Sequence, residues 1–145
     1  MENAHYFLHV TDTHLCFDAE TPDTCCTEKS LRSLYQTAFA WDHRPAFVLI
    51  TGDLVHEGTS ADYARAKTLL QELDEQYHTK TYPALGNHDI RKNFNSAFRG
   101  LASDQPLDYC EQTEWLRWIV LDSSCGQVIG QLSGSQLAWL EQELC

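Results

Sequence analysis

Basic residues are scarce in this 145-residue chain. Ten Lys and Arg stand against 21 Asp and Glu, a formal charge of −11 at pH 7. So little cationic surface excludes a grip on a nucleic-acid backbone or an anionic membrane. It does not exclude a small phosphorylated substrate, because a bound metal reverses the local field. No run of eighteen apolar residues is present, so no helix is expected to span a membrane. The first residues, Met1 to His5, lack the basic region of a signal peptide and the apolar run after them is short, so a cytoplasmic address is expected. The six cysteines (Cys16, Cys25, Cys26, Cys110, Cys125 and Cys145) contain no C-x-x-C pair. Scattered thiols are therefore expected rather than a zinc or redox site. Internal repeats, low-complexity tracts and linkers are lacking too.

What remains is one domain's worth of globular sequence, 43% hydrophobic and 21% charged. Elements alternate along it. Residues 6–10 and 46–50 are short apolar runs that read as buried strands, the second suited to a parallel strand covered on both faces. Between them Leu31, Leu34, Tyr35, Ala38 and Phe39 repeat at helical spacing, with Thr27 as a cap. Residues 60–77 carry a second helical stripe, with Glu72, Asp74 and Glu75 on its solvated face. Residues 81–85 form a third strand weakened by Pro83. A short helix over 93–99 follows, then a strand over 115–121 hairpinned to the region of Tyr109. Ser133 and Gln136 form a capping box that opens a last helix carrying Leu137, Leu140 and Leu144. Trp41, Trp115, Trp118 and Trp139 are expected in the core. This order implies an α/β fold with a largely parallel sheet, whose site lies at the carboxyl ends of its strands.

Residues able to do chemistry stand at those ends. Thr11-Asp12-Thr13-His14 follows the first strand, Thr51-Gly52-Asp53 the second and Gly86-Asn87-His88-Asp89 the third. Asp12 and His14 are two apart and can leave the same extended face, which is chelating geometry. Asp53 has two oxygens and could touch two ions. Asn87 offers a neutral amide oxygen. This mixture of oxygen and nitrogen donors suits manganese, iron, cobalt or zinc. Each tripeptide alone is as often a turn as a site; three after three successive strands point to a site. His56, three residues past Asp53, is within reach of the site but reads first as a solvent-exposed loop residue. His9 reads as a face or core residue, and His5, His43 and His78 as surface.

D-x-H, then G-D, then G-N-H-D, in this order and at these strand ends, resembles the calcineurin-like metallophosphoesterases. The tracts Thr11–Leu15 and Thr51–Val55, Leu121-Asp122-Ser123, Gly130-Gln131-Leu132 and Gln136–Leu140 are similar to the bacterial cyclic-nucleotide phosphodiesterases of that superfamily. The resemblance implies a binuclear centre of two divalent ions. Asp12 and His14 would hold the first, Asp53 would bridge both, Asn87 would bind the second, and His88 would face the substrate as proton donor. Asp89 would orient His88 or cap its turn. The implied reaction is hydrolysis of a phosphodiester, cyclic AMP as the expected substrate, by hydroxide bound to ions about 3.5–4 Å apart.

The family pattern continues with an isolated His and then G-H-x-H. None of the seven histidines here lies beyond His88. Residues 1–145 are therefore expected to form the N-terminal half of a four-layer αββα metallophosphoesterase sandwich. A complementing C-terminal half, or self-association, would cover its open sheet face. Two other readings stand beside this one: a catalytically incomplete half-domain that binds metal weakly or serves as an interaction module, and a phosphoesterase with another phosphodiester or a phosphomonoester as substrate.

Overall fold

A computed structural model describes residues 5–17 and 27–145. The Pro22 loop and the Cys25–Cys26 pair lie outside the described residues. The elements run β1 (Leu8–Thr11), α1 (Thr27–Phe39), β2 (Val48–Thr51), α2 (Ser60–Tyr77), β3 (Thr81–Ala84), α3 (Arg91–Arg99), β4 (Tyr109–Gln112), β5 (Arg117–Val120) and α4 (Gly134–Leu144). Strands β1, β2 and β3 pair in parallel in that order; β4 and β5 form a separate antiparallel hairpin. The alternation expected of an α/β chain is thus realised. Pro83 is tolerated because β3 is an edge strand, bonded only to β2.

The main core lies on one face of the sheet. Val48 and Ile50 of β2 are fully buried there, against Leu31 and Tyr35 of α1 and Tyr63 and Leu70 of α2. The opposite face is less covered than five consecutive apolar residues imply. His9 and Thr11 are exposed and Leu49 is half-buried. His9 Nε2 meets the Thr51 hydroxyl at 2.8 Å across that face. The hairpin covers only one end of it, where Trp118 stacks on Phe47 at 4.2 Å and meets Tyr82 edge-on at 5.0 Å. Apolar content alone does not reveal that one face lacks a packing layer.

Three local expectations change. None of the four tryptophans joins the buried core: Trp41 is 62% exposed, Trp115 is exposed too, and Trp118 and Trp139 are half-buried. Asp74 is not on the solvated face of α2: it accepts hydrogen bonds from Thr81 N at 3.0 Å and from the Thr81 hydroxyl at 2.6 Å, closing the turn into β3. Burial pushes its carboxyl above the usual range, against those bonds. In α4 the capping box forms as expected, but Leu137 and Leu144 are exposed. The helix docks instead through buried Gln136, whose Nε2 donates to Asp108 Oδ1 at 3.0 Å and to the Asp122 carbonyl at 2.8 Å.

Asp122 is the polar anchor of this region. Its fully buried carboxylate accepts from Arg91 Nε at 2.8 Å, Leu107 N at 2.9 Å and Ser124 N at 2.9 Å. Arg91 also donates to the carbonyls of Asp104 and Ser124. One guanidinium thereby ties the start of α3 to the segment after β5. Removing it strands a buried charge, which costs about 3 kcal/mol or more. Arg91→Ala should lower unfolding free energy by that amount in urea titrations. Arg32→Ala, which breaks only an exposed pair with Glu28 and Glu72, should cost less than about 1 kcal/mol.

Candidate metal centre

The parallel register continues past the strands into the loops. Asp12 N donates to Thr51 O at 3.0 Å, and Gly52 N to Ala84 O at 2.9 Å. Beyond them His14 N donates to Asp53 O at 2.8 Å and Leu15 N to Leu54 O at 2.9 Å; Leu15 and Val55 form an isolated parallel bridge. The loops after β1 and β2 therefore run side by side, held by the buried side chains of Leu15, Leu54 and Val55. Thr27 does not cap α1 as expected. Its hydroxyl accepts from Cys16 N at 3.0 Å and donates to the His14 carbonyl at 3.2 Å, fastening the first loop from the other side.

This scaffold brings Asp12, His14 and Asp53 together. One ligand atom from each lies within 4.8 Å of the others. His14 Nε2 stands 3.5 Å from Asp53 Oδ2, and His14 Nδ1 is buried without a hydrogen-bond partner among the described residues. Two crowded carboxylates repel, and an orphaned imidazole nitrogen leaves an interaction unmade. A divalent cation held between the carboxylates and His14 Nε2 would relieve that repulsion, so this donor set fits one. The backbone is strained at the same three places: φ is +53° at Asp12, +40° at His14 and +23° at Asp53. Such conformations cost about 1–3 kcal/mol each and persist where surrounding contacts over-determine them.

Gly86 secures the third loop. A Cβ there would lie 2.2 Å from both the amide nitrogen and Oδ1 of Asp53, so only glycine permits this approach. His88 N then donates to Asp53 Oδ1 at 2.9 Å, leaving Oδ2 toward His14. Asn87 and His88 have exposed side chains, and His88 is not among the three clustered residues. The His88 ring is edge-on to His14 at 5.3 Å. Both residues open onto a cleft of about 610 Å³ that reaches Arg91, Ser124 and Gly126.

Asp89 takes the turn-capping role of the two expected. Its carboxylate accepts from Leu54 N at 3.1 Å, Gly86 N at 2.9 Å and the Tyr63 hydroxyl at 2.8 Å, binding the second and third loops to α2. Tyr63 in turn accepts from Ile90 N at 2.7 Å. Burial raises the Asp89 pKa, and the amides of Gly86 and Leu54 pull it back down. Reasoning from sequence missed Tyr63, whose place on an apolar helical stripe concealed a polar task. His56 does approach the site, the less favoured of its two readings from sequence. That ring is half-exposed but lies edge-on to His14 at 5.7 Å, because the Leu15–Val55 bridge folds its loop against the first.

A sequence model described as calcineurin-like phosphoesterase matches residues 5–142. The chain belongs to that family. The family uses divalent metal ions, in keeping with the Asp-His-Asp arrangement. A probable cyclic nucleotide phosphodiesterase of Rhodococcus erythropolis is 35% identical over 142 residues, covering 97% of this chain and 47% of that protein. A cAMP/cGMP dual specificity phosphodiesterase of Mycobacterium tuberculosis is 33% identical over 140 residues, covering 94% and 44%. A probable glycerophosphodiester phosphodiesterase of Arcobacter nitrofigilis is 31% identical over 111 residues, covering 70% and 37%. The chain thus spans less than half the length of these relatives. No helix among the described residues is long and apolar enough to cross a membrane.

Gly86→Ala should destabilise the chain by about 1–3 kcal/mol through overpacking and displace the Asp53 carboxylate. Chemical denaturation and manganese titration should therefore both register it. Gly134→Ala should be neutral or slightly stabilising, because nothing lies within 4 Å of its added methyl and the site is helical.

Proposed function

We propose that these residues are the N-terminal, metal-binding half of a binuclear metallophosphoesterase domain that hydrolyses a small cyclic nucleotide, cyclic AMP first among the candidates. The convergence of Asp12, His14 and Asp53 at one sheet edge, strained and with an orphaned imidazole nitrogen, carries this reading. The names of the relatives support the substrate class.

Asp12 and His14 would hold the first ion, Asp53 would serve both, and Asn87 would bind the second. Manganese, iron, zinc and cobalt all suit these oxygen and nitrogen donors. Divalent ions bound here neutralise the phosphate and lower the pKa of the water they carry. His88 lies beside the cluster with an exposed ring and an anchored backbone. It donates a proton to the leaving oxygen of the diester as the bond to phosphorus breaks. The cleft beyond Asn87 and His88 receives the nucleoside portion.

Because Asp53 serves both ions, Asp53→Asn should weaken manganese uptake more than Asn87→Ala in calorimetric titration; equal losses would count against the shared role. Manganese at a hundred times its dissociation constant should stabilise the wild type by about 2.7 kcal/mol. Asp53→Asn should forfeit most of that gain.

Hydrolysis is tested on cyclic AMP, with a glycerophosphodiester as the competing substrate. The purified chain with manganese should turn over slowly, because the further histidines implied by the family pattern are not among its 145 residues. Adding a separately expressed C-terminal half of the Rhodococcus relative should raise the rate. Robust turnover by the chain alone would overturn the half-site reading. In the complemented protein His88→Ala should lower turnover by about 10²–10⁴-fold at unchanged metal content.

A further inference from the structure

The rim of the centre carries two imidazoles, and the reading above uses one. Both rings meet His14: His88 is edge-on at 5.3 Å and His56 edge-on at 5.7 Å. Neither belongs to the cluster whose ligand atoms lie within 4.8 Å of one another. Each therefore flanks the cluster through its contact with His14 without belonging to it.

The loop that presents His56 is built at both ends. His56 N donates to the Leu15 carbonyl at 3.1 Å, which ties the loop to the segment carrying Asp12 and His14. Two residues on, the Gly58 carbonyl accepts from Asn93 Nδ2 at 2.9 Å, which ties it to α3 behind the Asn87–His88 turn. Gly58 has φ +71°, and a Cβ there would strike Ile90 at 2.9 Å and the His88 carbonyl at 3.3 Å. Asp53 to Gly58 thus spans the gap between the two other loops. Among the described residues the ring has one polar approach, Glu57 Oε1 at 3.6 Å from Nε2, on a highly exposed side chain. Such a pair contributes little and yields readily to a better partner.

We infer that His56 is a second substrate-facing imidazole, which donates a hydrogen bond to a non-bridging phosphate oxygen. This rests on the metallophosphoesterase reading above. The ligand chemistry is a tetrahedral phosphate dianion or diester held at the metal. Its oxygens diverge, so one imidazole can meet the leaving oxygen while another meets a non-bridging one. His56 then supplies phosphate affinity and alignment, with the metal held by other residues.

The test uses the intact 145-residue chain loaded with manganese, with inorganic phosphate as the probe. Manganese affinity is read by calorimetry and phosphate affinity by the paramagnetic broadening of its phosphorus resonance. His56→Ala should weaken phosphate binding by roughly tenfold to a hundredfold, the range for a hydrogen bond to a charged group. Manganese affinity and melting temperature should stay within experimental error of wild type. His56→Gln retains a donor and should recover part of the phosphate affinity; it also decides the matter if the alanine variant misfolds. His43→Ala, on an exposed residue outside the site, should change nothing. Loss of manganese affinity in His56→Ala would make the residue a ligand and overturn the inference. Unchanged phosphate affinity would overturn it as well, and if Asp53→Asn still loses metal the metal-site reading survives alone. A wild-type chain that takes up no manganese would overturn both.

Discussion

The centre depends on the in-register parallel pairing of three strand ends. Thr11, Thr51 and Ala84 are aligned across the sheet, so the residue after each leaves the same edge at the same height. Hydrogen bonds then carry the alignment beyond the strands, from Asp12 to Thr51 and from Gly52 to Ala84. A one-residue slip of β2 would move Asp53 by about 3.3 Å and turn it to the other face. Buried Val48 and Ile50 oppose that slip, because it would expose them.

On that edge the chain stores unfavourable terms. Three non-glycine residues have positive φ, two carboxylates are crowded together and a buried imidazole nitrogen lacks a partner. Each is held in place by contacts that leave the ligand atoms of the cluster free. Asp89 and Tyr63 bind the second and third loops to α2, Thr27 fastens the first, and Arg91 with Asp122 anchors the segment behind the third. The division resembles that expected of preorganised sites, where rigid surroundings maintain a geometry that would relax if left free.

The weak coverage of the other sheet face follows from the same layout. Helices α1 and α2 contribute to a core on one side of β2, while the hairpin reaches only the Phe47–Tyr82 end of the other. The exposed apolar side chains of α4 and Trp41 lie outside that core too. The four-layer arrangement expected of the complete domain would supply another sheet; this chain presents a three-stranded sheet and a hairpin.

Local chemistry in the sequence determined much of this protein. Apolar periodicity located α1, α2 and the strands, Ser133 and Gln136 announced the α4 cap, and D-x-H, G-D and G-N-H-D marked the ligand-bearing turns. These signals are legible because they act within a few residues of themselves. Tertiary structure alone decided which long-range partners each polar group would meet. It gave Asp74 to Thr81, Asp89 to Leu54 and Tyr63, and Gln136 to Asp108, and it left Leu137 and Trp41 in solvent. It also moved His56 from an apparent surface loop to the side of His14. The physical reason is common to all of these. Hydrogen bonds and ring contacts between residues 7 to 42 positions apart depend on how strands stack and which sheet face is covered, and local spacing encodes neither.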